Sequence, residues 1–291
     1  MIIPSLILLV GIPGSGKSTY AKNYISDCTK NTIHLSSDSI RAELYGDESI
    51  QGNPADVFSL MQKRAVDALN NGHDVIYDAT NITRKDRASI IGICPKIAKI
   101  ECHIIWAPIE TCIERDSKRE RTVGKEVIDR MLKRFQAPWY DEGIDSIVNS
   151  FPSNFDFISY RNKCFDDMKI SHDNPPHTLD VFEHCQEAYK YTMELSMEYN
   201  IRVAAEMHDV GKPYVKAFID SKGNPCETAH YYQHQCVGAW LAYGCSSGNG
   251  YVAWLISTHM DPFLNTKYYN NLPSFLKKDI DLLHEADLNA H

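Results

Sequence analysis

Two sets of residues carry the chemistry open to this sequence. The first is contiguous: Gly11-Ile-Pro-Gly14-Ser15-Gly16-Lys17-Ser18 fits G-x-x-x-x-G-K-[ST], with an apolar run before it and a helical pattern after it. Glycines let the backbone wrap closely, so that successive N–H groups and a helix N-terminus face phosphate. Lys17 would then neutralise β- and γ-phosphate charge and Ser18 would hold Mg²⁺, with Gly14, Ser15, Gly16 and Thr19 completing the cradle. Such a loop predicts binding of ATP or another NTP with Mg²⁺, without specifying the reaction.

The second set is dispersed: His184, His208, Asp209, His234, His259 and Asp287. From 184 through 209, 234 and 259 to 287 the intervals are 25, 25, 25 and 28 residues. That spacing suits helices that each send one residue to a common centre, and imidazoles with carboxylates suit Mn, Fe, Ni, Co or Zn. A lone histidine on an apolar helical face equally serves a core. Only three of the twelve histidines precede residue 151; a metal site would produce that skew, and so would an acidic surface with a few core histidines, so that their positions decide.

Three further groups accompany the phosphate loop. Asp38 and Arg41 are three apart and share a face if a helix starts there. The pair suits a carboxylate that takes a hydroxyl proton while a guanidinium grips a nearby phosphate; Ser37 or Asp38 acting as a helix cap fits the spacing equally. Asp78, at the end of an apolar strand, could order Mg²⁺ or its water, or merely close a turn. Arg115 and Arg119, four apart in a basic run, could reach a triphosphate from a closing lid or simply face solvent.

Strand-like and helix-like segments alternate through the first half, with strands at 6–10, 32–35, 75–77 and 100–105. This alternation predicts a parallel sheet with helices on both faces. Residues 139–176, rich in turn formers, interrupt it, and Phe155–Tyr160 is the best further strand. From Leu179 the pattern is helical, apart from a hairpin over Tyr214–Thr228. The 291 residues therefore divide into domains at 1–150 and 151–291. The net charge of -8 is uneven: 19 basic and 20 acidic side chains lie in the first part, 11 and 18 in the second. A protein that coats DNA is excluded. Nine cysteines without a C-x-x-C pair predict reduced thiols in a cytoplasmic protein, and no run of 18 apolar residues predicts a membrane span. Met1–Val10 lacks the basic start and cleavage site of a signal peptide.

GIPGSGKS, the D-S-I-R stretch at Asp38–Arg41, the D-A-T-N strand end from Asp78 and R-D-S-K-R at Arg115–Arg119 together resemble the phage-type polynucleotide 5′-kinases. The resemblance implies Asp38 as general base on a 5′-hydroxyl and Arg41 as a contact to the acceptor's phosphate. It implies Arg119, with Arg115, at the transferring phosphoryl group. From about residue 172, E-H184, H208-D-V-G-K, Q-H234-Q-C, T-H259-M and E-A-D287 resemble the HD-domain metal-dependent phosphohydrolases, an all-α class. That resemblance implies His184, His208, Asp209 and Asp287 around one metal, with His234 and His259 serving a second that Asp209 bridges. Lys212, His177 and His230 are candidates for phosphate contacts or a general acid. The sequence ends four residues beyond Asp287, so the last helix is expected to be short.

A kinase and a phosphohydrolase are compatible in one chain when they act on different ends. The two resemblances imply end healing, with 5′-hydroxyl and 3′-phosphate or 2′,3′-cyclic ends of RNA or DNA as substrates. A polynucleotide ligase and a second copy of the chain are further partners to be tested; a membrane is not. Alternatives are a small-molecule or nucleoside kinase joined to an HD nucleotidase, and a nucleotide-sensing regulator without turnover.

Overall fold

The structure, a computed structural model, describes residues 3–27, 31–94, 96, 98–174, 178–195 and 197–290. The chain divides into two compact units, Met1–Ile128 with Pro138–Ser153, and Asp129–Ala137 with Asn154–His291. His177 lies outside the described residues.

The first unit runs β1 (Ser5–Val10), α1 (Lys17–Asp27), β2 (Thr32–Ser36), α2 (Ser37–Tyr45), α3 (Pro54–Asn70), β3 (Asp74–Asp78), α4 (Arg84–Ile91), β4 (Lys99–Ile105), α5 (Ile109–Ser117), α6 (Lys125–Leu132) and β5 (Ser146–Ser150). The last turn of α6 belongs to the second unit. The strands form one parallel sheet in the order β2-β3-β1-β4-β5. β1 and β3 are buried at every position, which is why they read as unbroken apolar runs rather than alternating ones. β1 has β3 on one side and β4 on the other, so the chain leaving it emerges where strand order reverses, the usual crevice for a ligand. Ser36 pairs with Asp78, which sets the ends of β2 and β3 level beside that crevice.

Helix α2 starts where the Asp38–Arg41 spacing requires. Its cap, however, is Ser36, whose side chain accepts from the Asp38 N–H, so neither Ser37 nor Asp38 serves as the cap. The Asp38 carboxylate is thereby left for other partners. The segment 138–153 is anchored by a buried ion pair in which Arg87 donates to both oxygens of Glu142, at 2.7 and 2.6 Å.

The second unit continues with α7 (Phe157–Asp167), α8 (Val181–Glu194), α9 (Tyr199–Met207), α10 (Lys212–Val215), β6 (Ala217–Ile219), β7 (Pro225–His230), α11 (His234–Cys245), α12 (Gly250–Thr258), α13 (Asp261–Leu264), α14 (Thr266–Asn271) and α15 (Ser274–Leu288). It is mostly helical, with the expected hairpin as β6 and β7. Phe155–Tyr160 is not a strand. Asp156 accepts from the N–H groups of Ile158 and Ser159 and starts α7 there; the additional strand is β5. Helix α11 is buried along its whole length, as a helix apolar on every side must be. Trp240 on it meets Phe135 edge to face at 5.2 Å. Among the described residues the cysteines are free thiols, and no helix is long and apolar enough to cross a membrane.

Candidate active sites

The phosphate loop joins β1 to α1. Gly14 and Gly16 have φ of 79° and 110°, and a Cβ on Gly14 would lie 2.1 Å from the Cys112 carbonyl oxygen, so only glycine passes. The Ser15 hydroxyl is buried without a partner, and Ser18 and Thr19 are exposed on the first turn of α1. An anion-binding cradle has these properties: a backbone that must be glycine, a polar atom awaiting a ligand and an open helix N-terminus. Lys17 donates to the Ile12 carbonyl at 3.0 Å. Burial pushes its ammonium down to about 8; the Arg119 charge adds to that, while Asp78 and Asp38 oppose it.

Asp38 receives Arg41 Nη1 at 2.5 Å, and Arg121 Nη1 lies 3.7 Å from the same oxygen. Arg41 Nε is buried without a hydrogen-bond partner. Arg121 belongs to the basic run, but its approach to Asp38 is set by chain folding and has no signature in spacing. Asp78 is buried and meets His34 Nε2 at 3.1 Å, a neighbour that follows from the β2–β3 register. Arg115 and Arg119 do not share a helix face, because α5 ends at Ser117. Arg115 donates to the carbonyls of Gly14 and Ser15 at 3.4 and 3.3 Å, and both arginines are exposed.

In the second unit the six dispersed residues converge. His184 lies on α8, His208 and Asp209 directly follow α9, His234 opens α11, His259 caps α12, and Asp287 sits in the last turn of α15. Ligand atoms of His184, His208 and Asp287 lie within 4.8 Å of one another, as do those of Asp209, His234 and His259. Asp209 faces both groups: Oδ2 is 3.4 Å from His208 Nε2, and Oδ1 is 3.3 Å from His234 Nε2. Gly211 permits this approach, since a Cβ there would lie 2.1 Å from the His234 carbonyl oxygen.

Each of the four imidazoles turns Nδ1 to a backbone carbonyl. The acceptors are Ala290 for His184 (3.1 Å), Ala205 for His208 (2.9 Å), Tyr231 for His234 (3.0 Å) and Ile256 for His259 (2.7 Å). A carbonyl only accepts, so Nδ1 carries the hydrogen and a neutral ring aims its Nε2 lone pair inward. The Nε2 atoms of His234 and His259 face each other at 3.2 Å. Burial pushes His259 down to about 3, with help from His234 and His208, and burial likewise lowers His234. Two lone pairs therefore oppose each other where protonation is disfavoured. His208 Nε2 is buried without a hydrogen-bond partner. Burial opposes charge on His208, but Cys185, Asp209 and Asp287 together raise its pKa well above the ordinary value. Burial works to raise the Asp209 and Asp287 carboxyls as well; Lys212 for the first and His208 for the second lead the groups that hold them far below the usual range. Opposed lone pairs, an orphaned imidazole nitrogen and two carboxylates that stay ionised fit a divalent transition metal, with the backbone carbonyls fixing each ring.

Lys212 Nζ is 2.6 Å from Asp209 Oδ2. His230 instead stacks on Tyr232 at 5.3 Å. Three residues at this site have no mark in the sequence. His172 and Tyr231 surround Lys212, and Cys185 Sγ lies 3.6 Å from His208 Nδ1. His172 sits in a run that looks like a linker, and no spacing rule marks it.

The first unit is thus a phosphate-loop domain of kinase type and the second an HD domain. Residues 6–138 match the AAA domain family, and residues 181–286 match the HD domain family. The chain is 23% identical over 197 residues to "Transcription factor bHLH140" of Arabidopsis thaliana, covering 61% of this chain and 20% of that protein. It is 26% identical over 188 residues to L-seryl-tRNA(Sec) kinase of Methanococcus maripaludis, covering 60% and 72%. Among solved structures, one in the Pnkp1/Rnl/Hen1 RNA repair complex is 25% identical, with a TM-score of 0.42, covering 46% of this chain and 44% of that one. The chain thus spans a fifth of the first curated relative and less than half of that solved chain.

Proposed function

We propose that the chain is a bifunctional enzyme of nucleic-acid end healing. The first unit transfers the γ-phosphate of ATP to a 5′-hydroxyl, and the HD unit removes a 3′-phosphate or opens a 2′,3′-cyclic phosphate. The observation that carries the polynucleotide acceptor is the surrounding of Asp38. Two guanidiniums, Arg41 at 2.5 Å and Arg121 at 3.7 Å, flank the carboxylate next to the phosphate loop. A hydroxyl with a phosphodiester close by would use both kinds of group, since the carboxylate takes the hydroxyl proton and the guanidiniums hold the phosphate. In the transfer, the acceptor oxygen bonds to the γ-phosphorus as the β–γ bridge breaks. Lys17 offsets the charge that remains on ADP, and Arg119 closes on the phosphoryl group.

In the HD unit, His184, His208, Asp209 and Asp287 would hold one metal, and His234 and His259 with Asp209 would offer a second place. A bound divalent metal supplies Lewis acidity toward a phosphoryl oxygen and lowers the pKa of water. The chain's own part is to hold four imidazoles with Nδ1 on a carbonyl and Nε2 inward, and to place the Lys212 ammonium where it can meet a phosphate oxygen. Hydrolysis leaves the water's oxygen on phosphorus and its proton on the departing alcohol.

The test offers the chain with ATP, Mg²⁺ and Mn²⁺ to matched RNA and DNA oligonucleotides with 5′-hydroxyl and 3′-phosphate ends, both ends being read by mass. Gain of one phosphoryl group at the 5′ end and its loss at the 3′ end is expected. Transfer to free nucleosides at a higher kcat/KM than to oligonucleotides would replace this reading with a nucleoside kinase and nucleotidase. Arg121→Ala should raise KM for the oligonucleotide about threefold to tenfold while leaving KM for ATP unchanged.

A further inference from the structure

His172 is 1% exposed, yet it belongs to no helix or strand. Its Nδ1 is 2.9 Å from the Leu179 carbonyl oxygen, so that nitrogen donates and Nε2 accepts. The donor to Nε2 is Lys212 Nζ, at 3.2 Å. The same ammonium meets Asp209 Oδ2 at 2.6 Å and lies 5.3 Å from the centre of the Tyr231 ring. The segment that carries His172 is tied down on several sides. Ser171 bridges to Asp180, Lys216 donates to the Ser171 carbonyl at 2.5 Å, Ala229 N–H donates to the Asp173 carbonyl at 2.9 Å, and the Tyr231 hydroxyl donates to the His172 carbonyl.

A lysine ammonium is a compact charge on four flexible carbons, and beside a buried carboxylate it would settle wholly onto that carboxylate. A second acceptor in fixed position prevents this. Asp209 and His172 take two of the three N–H groups, the aromatic face of Tyr231 lies against the charge, and one N–H is left for an incoming anion. A role for His172 as a further metal ligand fits less well, because its Nε2 lone pair is engaged by Lys212 and its ring meets His184 edge to face at 5.6 Å.

We propose that His172 is a positioning residue that holds the Lys212 ammonium beside the Asp209 carboxylate, with its third N–H directed to the phosphate of the HD-site substrate. The substrate part of this inference rests on the phosphohydrolase reading; the hydrogen bond between His172 and Lys212 does not. Two measurements on the full chain separate them. In ring-¹⁵N histidine spectra, His172, identified by loss of its signals in His172→Gln, should show an Nδ1–H tautomer. Its Nε2 resonance should move toward the unbonded position in Lys212→Met, and an unmoved resonance overturns the proposal. In phosphomonoester hydrolysis by the metal-loaded protein, His172→Phe should lower kcat about tenfold with metal content unchanged. His172→Gln, which keeps an acceptor, should recover most of that loss. Combined with Lys212→Ala, His172→Phe should add less than twofold, because it acts through the lysine. Independent, multiplicative losses or loss of metal overturn the proposal. If the unmodified chain hydrolyses no phosphate ester, the phosphohydrolase reading falls, and the imidazole resonance alone decides whether His172 holds Lys212.

Discussion

The phosphate loop and the histidine–aspartate cluster both suit phosphate chemistry, but they are assembled from different materials. The loop is eight consecutive residues between β1 and α1 whose work falls on backbone N–H groups and one lysine. The cluster takes side chains from within three helices and from the residues that end two more, across more than 100 residues between His184 and Asp287. A loop built on backbone conformation depends on glycines. A cluster built on side chains depends on how helices are spaced, and on what lies behind each ring. Hence Gly14 is required by its own φ and by its neighbour Cys112, whereas His208, His234 and His259 are each aimed by the carbonyl three residues before them and His184 by the distant Ala290 carbonyl.

The sharpest way to break this comparison is to inactivate each site alone. Lys17→Ala should lower phosphoryl transfer on the order of 10²–10³-fold while leaving phosphatase activity intact. His208→Ala and Asp209→Ala should do the reverse. A single substitution that silences both activities would show that the two sites are not independent.

Removal of metal should separate the sites next. The cluster keeps opposed lone pairs at 3.2 Å, so chelation should lower the thermal midpoint of the unfolding transition that carries the HD unit. Metal returned at about 100 times its Kd should restore roughly 2.7 kcal/mol. Calorimetry with and without chelator reads this, and an unchanged midpoint would count against a metal site. Mg²⁺ at the phosphate loop should have little effect in the absence of nucleotide.

Glycine replacements test the contrast in materials. Gly211→Ala places a Cβ 2.1 Å from the His234 carbonyl oxygen and should cost about 1–3 kcal/mol of stability together with metal affinity. Gly14→Ala meets a contact as close, at a φ of 79°, and should abolish ATP binding while leaving metal content unchanged. Denaturant titration and metal analysis of both variants distinguish the two outcomes.

The smallest effect is in pH. The Lys17 ammonium is lowered from 10.5 to about 8 in the folded chain. Between those values the unfolded chain binds the extra proton, so this lysine makes stability rise with pH from about 8 to 10.5. ATP affinity should move the other way, because phosphate favours the charged ammonium. It should fall above about pH 8, approaching tenfold per unit, and the fall should flatten in Lys17→Arg. A flat profile for the unmodified chain would remove Lys17 from the phosphate contact.

Much of this was legible in the sequence because the signals are local. Apolar runs announced β1 to β4, and the hairpin announced itself through Asp220–Gly223. Phe155–Tyr160 misled because its aromatic character outweighed the Asp156 cap that starts α7. That Arg115 and Arg119 do not share a helix face was not legible, because four-residue spacing does not announce that α5 ends at Ser117. His172 and Arg121 were missed for a different reason: their partners, Lys212 and Asp38, lie 40 and 83 residues away, and no periodicity encodes such a pairing.

By itself, then, the sequence determined the parallel sheet, the glycine-dependent loop and the set of candidate metal ligands, because dihedral limits, burial and ligand type are properties of residues and their near neighbours. Only the tertiary structure decided that the six dispersed side chains converge, that Arg115 donates to the carbonyls of Gly14 and Ser15, and that Lys212 rests between Asp209 and His172. Those facts depend on which surfaces pack together, and a hydrogen bond between distant residues exists only once that packing has brought its donor within about 3 Å of its acceptor.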